Sequence, residues 1–266
     1  MTRTGSLAGQ KILAIFAHPD DESLAGGGTL AKLADQGARV SLLCATRGEA
    51  GERTPGCSED IALGTLRRGE LHEAAQQLGL DEVILLDHPD GELNDVDETL
   101  FRQEMVLTLR HTRPDVVITF AADGLYWHPD HIAVHERVTE AVESLGASAP
   151  ALFYVVFPEG LMRTVVETAQ ANPSAPPNLS LWSLDPDAFG AYSQAPTLVV
   201  DATAQVTRKL AALACHRSQV GIQSPFLWLL PDDARRLLGR EYFVRSEVGN
   251  QAATCLDRLE ELSQAS

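Results

Sequence analysis

The stretch Ile12-Leu13-Ala14-Ile15-Phe16-Ala17 is an unbroken apolar run that stops at His18-Pro19-Asp20-Asp21-Glu22, where an imidazole and three carboxylates crowd together. A run of this kind, with no alternation of polar residues, predicts a parallel strand covered on both faces. Packing gives no reason for ionisable side chains directly behind it, whereas open α/β sheets bind their ligands beyond the carboxyl ends of the strands. The run therefore constrains both the fold class and the place of the chemistry. His18 and Asp21 are three residues apart across a turn stiffened by Pro19. They can turn an imidazole nitrogen and a carboxylate oxygen toward one ion, zinc or another divalent transition metal.

The pattern recurs along the chain. Further strands are predicted at Arg39–Ala45, Val83–Leu86, Asp115–Phe120, Ala151–Phe157 and Leu198–Asp201. Helices are predicted from Ser23 to Ala34, about Glu59 to Leu78, Glu98 to His111, His128 to Val142, Val206 to Val220 and Gln251 to Glu261. Three or four βα units with polar loops at successive strand ends imply a Rossmann-like three-layer αβα fold with a mostly parallel sheet. The glycines at Gly26-Gly27-Gly28 lack the order of a dinucleotide loop, and Asp20 and Asp21 would repel a pyrophosphate, so close helix–sheet packing explains them better. Residues 1–266 are expected to form a single domain, with an insertion or lid over the proline- and serine-rich stretch at about 158–196.

Two ligands leave a metal under-coordinated, and Trp127-His128-Pro129-Asp130-His131 supplies the complement. Pro129 suits the first position of a helix, which puts His128 at the N-cap and His131 one turn in, on the same side. His131 is then the third donor. A competing assignment pairs His131 with His135 as H-x-x-x-H, which would leave His18 and Asp21 without a third partner. The formal charge of −16 argues against nucleic acid and anionic membranes as partners. No apolar stretch approaches the ~20 residues of a membrane span, and Met1 to Gln10 lacks the apolar core of a signal peptide. Cys44, Cys57, Cys215 and Cys255 are scattered with no C-x-x-C, which fits a reducing cytoplasm. A homo-oligomer stays open.

Ala17-His18-Pro19-Asp20-Asp21-Glu22 together with His128-Pro129-Asp130-His131 resembles the PIG-L/LmbE superfamily of zinc-dependent N-acetylglucosaminyl deacetylases, which includes the deacetylases and amidases of mycothiol and bacillithiol metabolism. Supporting matches are Thr46-Arg47-Gly48-Glu49-Ala50-Gly51, Arg67 with Glu70, Pro89-Asp90-Gly91 and His216-Arg217-Ser218-Gln219. The resemblance implies one zinc per chain on His18, Asp21 and His131, with Asp20 as the general base. It also implies that Arg67 reaches the substrate pocket, that Asp90 binds sugar hydroxyls and that His216 lies near the substrate. Judged alone, Arg67 and Glu70 would be a surface ion pair worth a few tenths of a kcal/mol, and His216 a packed helix residue.

A zinc held by two imidazoles and a carboxylate keeps an open position, as catalytic sites do. Asp20, beside Asp21 but directed elsewhere by the chain, is placed to take a proton from water. His128 is the candidate acid and oxyanion donor, and Asp130 would hold it protonated. Tyr126 would donate a further hydrogen bond to the tetrahedral intermediate. The plainer alternatives are a first-turn helix acid for Asp130 and a loop aromatic for Tyr126. Glu49 is expected to line the mouth, and Glu22 to stabilise the loop. The leading expectation is removal of an acetyl group from a small-molecule N-acetylated amino sugar. A thiol-conjugate amidase of the same superfamily and a non-catalytic metal-dependent binding module are the alternatives.

Overall fold

The apolar run before His18 forms β1 (Lys11–Phe16), which is buried from Ile12 to Phe16 and pairs in parallel on both edges. The computed structural model describes residues 5–191 and 193–264. After β1 come α1 (Asp21–Asp35), β2 (Arg39–Thr46), α2 (Leu63–Leu78), β3 (Glu82–His88), α3 (Glu98–Thr112), β4 (Val116–Phe120) and the single turn α4 (Gly124–Trp127). Then follow α5 (Pro129–Ser144), β5 (Ala151–Val156), α6 (Leu161–Gln170), β6 (Leu198–Asp201), α7 (Val206–Leu213), α8 (Pro231–Leu238), β7 (Arg240–Gly249) and α9 (Cys255–Gln264).

Among the described residues the strands form one sheet in the order β3-β2-β1-β4-β5-β7-β6. The first five strands run parallel, and β7 is antiparallel to both β5 and β6. The expected mostly parallel α/β sheet is thus observed. From β1 the chain winds outward through β2 and β3, then returns to place β4 on the other edge of β1. The crevice at this reversal lies beyond the carboxyl ends of β1 and β4, where such sheets bind ligands. Phe16, Phe120, Phe153 and Phe243 are fully buried along the sheet.

Several boundaries differ from the sequence reading. α2 starts at Leu63, because residues 47–62 form the long loop after β2. α7 stops at Leu213, so His216 and Gln219 leave the helix that their spacing suggested. A turn follows instead, closed by the Val220 N–H on the His216 carbonyl at 2.7 Å. The stretch 158–196 is not wholly irregular: α6 buries Met162, Val165 and Ala169 at helical spacing. The strand β7 was not foreseen; its apolar residues are interleaved with Glu241, Arg245 and Glu247, and its burial alternates.

The glycines of α1 have a structural reason. Gly26 leaves helical geometry at φ −146°, ψ 16°, and breaks the helix. The N–H groups of Gly28 and Thr29 then donate to the Glu241 carboxylate at 2.8 and 2.6 Å, as a side-chain cap does at a helix start. Lys209 Nζ completes the buried cluster at 2.6 Å from Glu241. A Cβ on Gly28 would lie 2.8 Å from that of Ala202 and 3.0 Å from Glu241 Oε1, so only glycine fits here.

Candidate active site

At the end of β1 the chain turns sharply into α1. The His18 N–H donates to Asp21 Oδ2 at 2.7 Å, which fixes Asp21 against the imidazole it follows. Between them Asp20 adopts φ 119°. Such a conformation costs a non-glycine residue on the order of 1–3 kcal/mol and persists only where the surroundings enforce it. Here the Asp20 N–H donates to Glu22 Oε2 at 3.0 Å, and its carboxylate accepts from Arg67 Nη2 at 3.2 Å. Burial pushes the Asp20 carboxyl up to about 6 against the opposing pull of the Arg67 guanidinium.

The three expected metal donors converge. His18 Nδ1 lies 3.1 Å from His131 Nε2 and 3.4 Å from Asp21 Oδ2, and His131 Nε2 lies 3.3 Å from Asp21 Oδ1. Ligands ~2.0–2.1 Å from a tetrahedral zinc stand roughly 3.3–3.4 Å apart, close to the His18–His131 separation, and Asp21 faces the two imidazoles through its two different oxygens. Pro129 occupies the first turn of α5 behind the His128 N-cap, and this carries His131 into the site. His131 donates from Nδ1 to the Gly124 carbonyl at 3.0 Å, which leaves the Nε2 lone pair facing the other donors. Burial drives His131 down to about 3 despite the neighbouring Asp21, and the ring stacks on Phe120 at 4.0 Å. Asp21 is held below the ordinary carboxylate range because the His131 and His18 imidazoles outweigh the effect of burial.

Two other donor sets also approach within 4.8 Å: His18, His128 and His131, and His18, Asp90 and Asp130. The second uses the opposite edge of His18, since Nε2 lies 3.1 Å from both Asp90 Oδ1 and Asp130 Oδ2. Carboxylates on the far nitrogen orient a ligating imidazole, so these two acids are better read as supports of His18. The rival H-x-x-x-H pair is not formed: His135 donates from Nδ1 to the Phe120 carbonyl at 2.9 Å and packs its ring on Tyr154.

His128 Nδ1 accepts the Asp130 N–H at 3.2 Å, which leaves the ring proton on Nε2. Burial and the nearby His18 lower its pKa. The expected Asp130–His128 partnership therefore runs through the backbone. The Asp130 carboxylate instead accepts the N–H groups of Gly91 and Leu93 at 2.8 and 3.0 Å and contacts His18, because the fully buried side chain faces the turn after β3. Tyr126 packs on Phe189 at 4.7 Å and stands edge-on to His131 at 5.2 Å and His128 at 5.8 Å. Asp90 and Glu49 clasp two loops: Glu49 Oε1 accepts the Asp90 N–H at 3.0 Å, and Asp90 Oδ2 accepts the Ala50 N–H at 2.8 Å.

Two residues expected at the substrate do other work. Arg67 is 4% exposed, and its guanidinium donates to the Pro19 and Gly48 carbonyls at 2.6 and 2.8 Å as well as to Asp20. It pins the loops after β1 and β2 together and holds the Asp20 carboxylate; its partner is not Glu70, which binds the N–H and hydroxyl of Ser218 at 2.9 and 2.6 Å. His216 is 0% exposed and donates from Nε2 to Glu22 Oε1 at 2.8 Å, so direct substrate contact is closed to it. The Glu22–His216 pair was missed in the sequence because its members are far apart; the one available signal was Glu22 itself, an acid of the first motif expected only to stabilise the loop.

The model of the family PIG-L, GlcNAc-PI de-N-acetylase, matches residues 13–142. A curated relative, the 1D-myo-inositol 2-acetamido-2-deoxy-alpha-D-glucopyranoside deacetylase of Thermomonospora curvata, is 34% identical over 270 residues, covering 88% of this chain and 89% of the relative. Among solved structures, N,N'-diacetylchitobiose deacetylase from Pyrococcus horikoshii superposes with a TM-score of 0.63 at 22% identity, covering 89% of this chain and 84% of its own. GalB, the 4-carboxy-2-hydroxymuconate hydratase from Pseudomonas putida, gives 0.59 at 19%, with 92% and 100% covered. At such identities these two structures speak to the fold alone, and their names illustrate that one fold carries different reactions.

Proposed function

Because this chain belongs to the PIG-L family of de-N-acetylases, we propose that it is a metal-dependent hydrolase that removes the acetyl group from an N-acetylglucosamine-type conjugate. The observation that carries this reading is the convergence of His18, Asp21 and His131 at mutual distances of 3.1–3.4 Å beside Asp20. These three residues would hold one zinc ion, which when bound supplies a Lewis acid and makes a water acidic enough to attack at neutral pH. Asp20, with its carboxyl pushed up to about 6 by burial, takes the proton of the attacking water. His128, with its proton on Nε2, serves the developing oxyanion and the leaving nitrogen, and Tyr126 stands beside it as a further donor.

Asp90 already accepts two bonds from the protein, but a carboxylate has acceptor capacity for more. Asp90 and the exposed Glu49 are therefore assigned to sugar hydroxyls at the mouth. Among the described residues no helix is long and apolar enough to cross a membrane. The four cysteines are free, which supports the cytoplasm as the working compartment.

The test is amine release from a panel of N-acetylglucosamine conjugates, N-acetylated thiol conjugates and a small activated acetamide, with and without a strong chelator. The proposal expects chelator-sensitive release that is fastest on the amino-sugar conjugates. Release confined to the cleavage of larger thiol-conjugate amides would move the assignment to an amidase, and no release from any of them would defeat the enzymatic reading.

A further inference from the structure

The catalytic aspartate assigned above is held in a backbone conformation that needs an external hold, and the structure supplies one from a distant segment. Asp20 sits at φ 119°, and its N–H donates to Glu22 Oε2 at 3.0 Å. Glu22 is fully buried; its other oxygen, Oε1, accepts from His216 Nε2 at 2.8 Å and from the Ser23 hydroxyl at 2.5 Å. His216 is likewise buried, and its Nδ1 has no hydrogen-bond partner among the described residues. A buried imidazole that uses only one nitrogen, and uses it on a carboxylate, is placed for that carboxylate and for no ligand. Its segment is anchored in turn, since Ser218 binds Glu70 of α2 through both its N–H and its hydroxyl at 2.9 and 2.6 Å. Resting on the deacetylase reading, we infer that His216 and Glu22 are positioning residues that act in series on Asp20. His216 fixes the Glu22 carboxylate, and Glu22 holds the Asp20 N–H, so that the Asp20 carboxylate stays on the Arg67 guanidinium.

The two aspartates are then a pair whose division of labour depends on the backbone between them. Consecutive residues in an ordinary helical start would turn by a fixed angle, and the left-handed conformation at Asp20 sets a different one. Without the Glu22 acceptor the N–H would lose its partner and the strained conformation its hold. Asp20 would then relax, while His18, Asp21 and His131 keep their own bonds.

The experiment compares Glu22→Ala, Glu22→Gln and His216→Ala with the parent, using the small activated acetamide and zinc-loaded protein. Glu22→Ala and His216→Ala are expected to keep one zinc and an unchanged KM while kcat falls roughly 10–100-fold, as a misplaced reacting group does. Glu22→Gln retains an acceptor for the Asp20 N–H and should recover most of kcat. In an Asp20→Asn background Glu22→Ala should cause no further loss, because the two act as one unit. Full multiplication of the two losses, or kcat within twofold of the parent in Glu22→Ala, would overturn the inference. Amide exchange reads the same hold without activity: the Asp20 N–H should be protected in the parent and exchange at least tenfold faster in Glu22→Ala, in metal-free and zinc-loaded protein alike. Unchanged protection would also overturn it. A parent that turns over none of the substrates would count against the deacetylase reading alone, with amide exchange still deciding for or against the hold.

Discussion

Asp20 and Asp21 are adjacent, yet one is pushed up to about 6 by burial and the other is held low by two imidazoles. Such a separation supports the proposed division, in which Asp20 moves the proton and Asp21 faces the cation. Asp20→Asn should keep bound zinc and lose roughly 10²–10⁴-fold in turnover, whereas Asp21→Asn and His131→Ala should lose the metal. His135→Ala should not, because its imidazole is bonded to the Phe120 carbonyl. Zinc content by elemental analysis beside kcat checks all four variants, and equal metal loss in the two aspartate variants would end the division of labour. The convergence of His18, Asp21 and His131 was legible at this scale because short spacing in a turn, and an N-capped helix start, fix where side chains point. Arg67 and His216 were not legible in the same way: a family match carries residue identity, but burial and partner depend on contacts with segments far along the chain.

At the scale of elements, β1, β2, β4, β5 and the long helices between them were readable because buried parallel strands are continuous apolar runs, and the half-buried β3 carries a short apolar run too. α8, β7 and the break in α1 were not. Gly26-Gly27-Gly28 signals a special conformation, but the carboxylate that completes it comes from Glu241 on β7, an alternating strand that a search for apolar runs passes over. The cluster predicts an asymmetry. Glu241→Ala leaves the buried Lys209 ammonium and the N–H groups of Gly28 and Thr29 without their acceptor, and should cost about 3–5 kcal/mol. Lys209→Met leaves the carboxylate its two N–H donors and should cost clearly less. Urea unfolding of both variants checks the order, and equal or reversed losses would show that the cap is not what holds the second half of α1.

Across the whole molecule, the sheet brings the ends of β1 and β4 to one crevice, and the loops after β2 and β3 close around it through Arg67, Glu49, Asp90 and Asp130. Under the proposed function this crevice works as a single-metal hydrolytic centre. The most direct test is to strip the protein with a chelator and follow both amine release from an N-acetylglucosamine conjugate and thermal stability as zinc is returned. Zinc that binds only the folded chain should raise the melting temperature by mass action. Amine release should climb from near zero and level off at one equivalent per chain, with the stability gain reaching its break at the same ratio. Release that is undiminished in the stripped protein, or a chain that takes up no zinc, would contradict the claim.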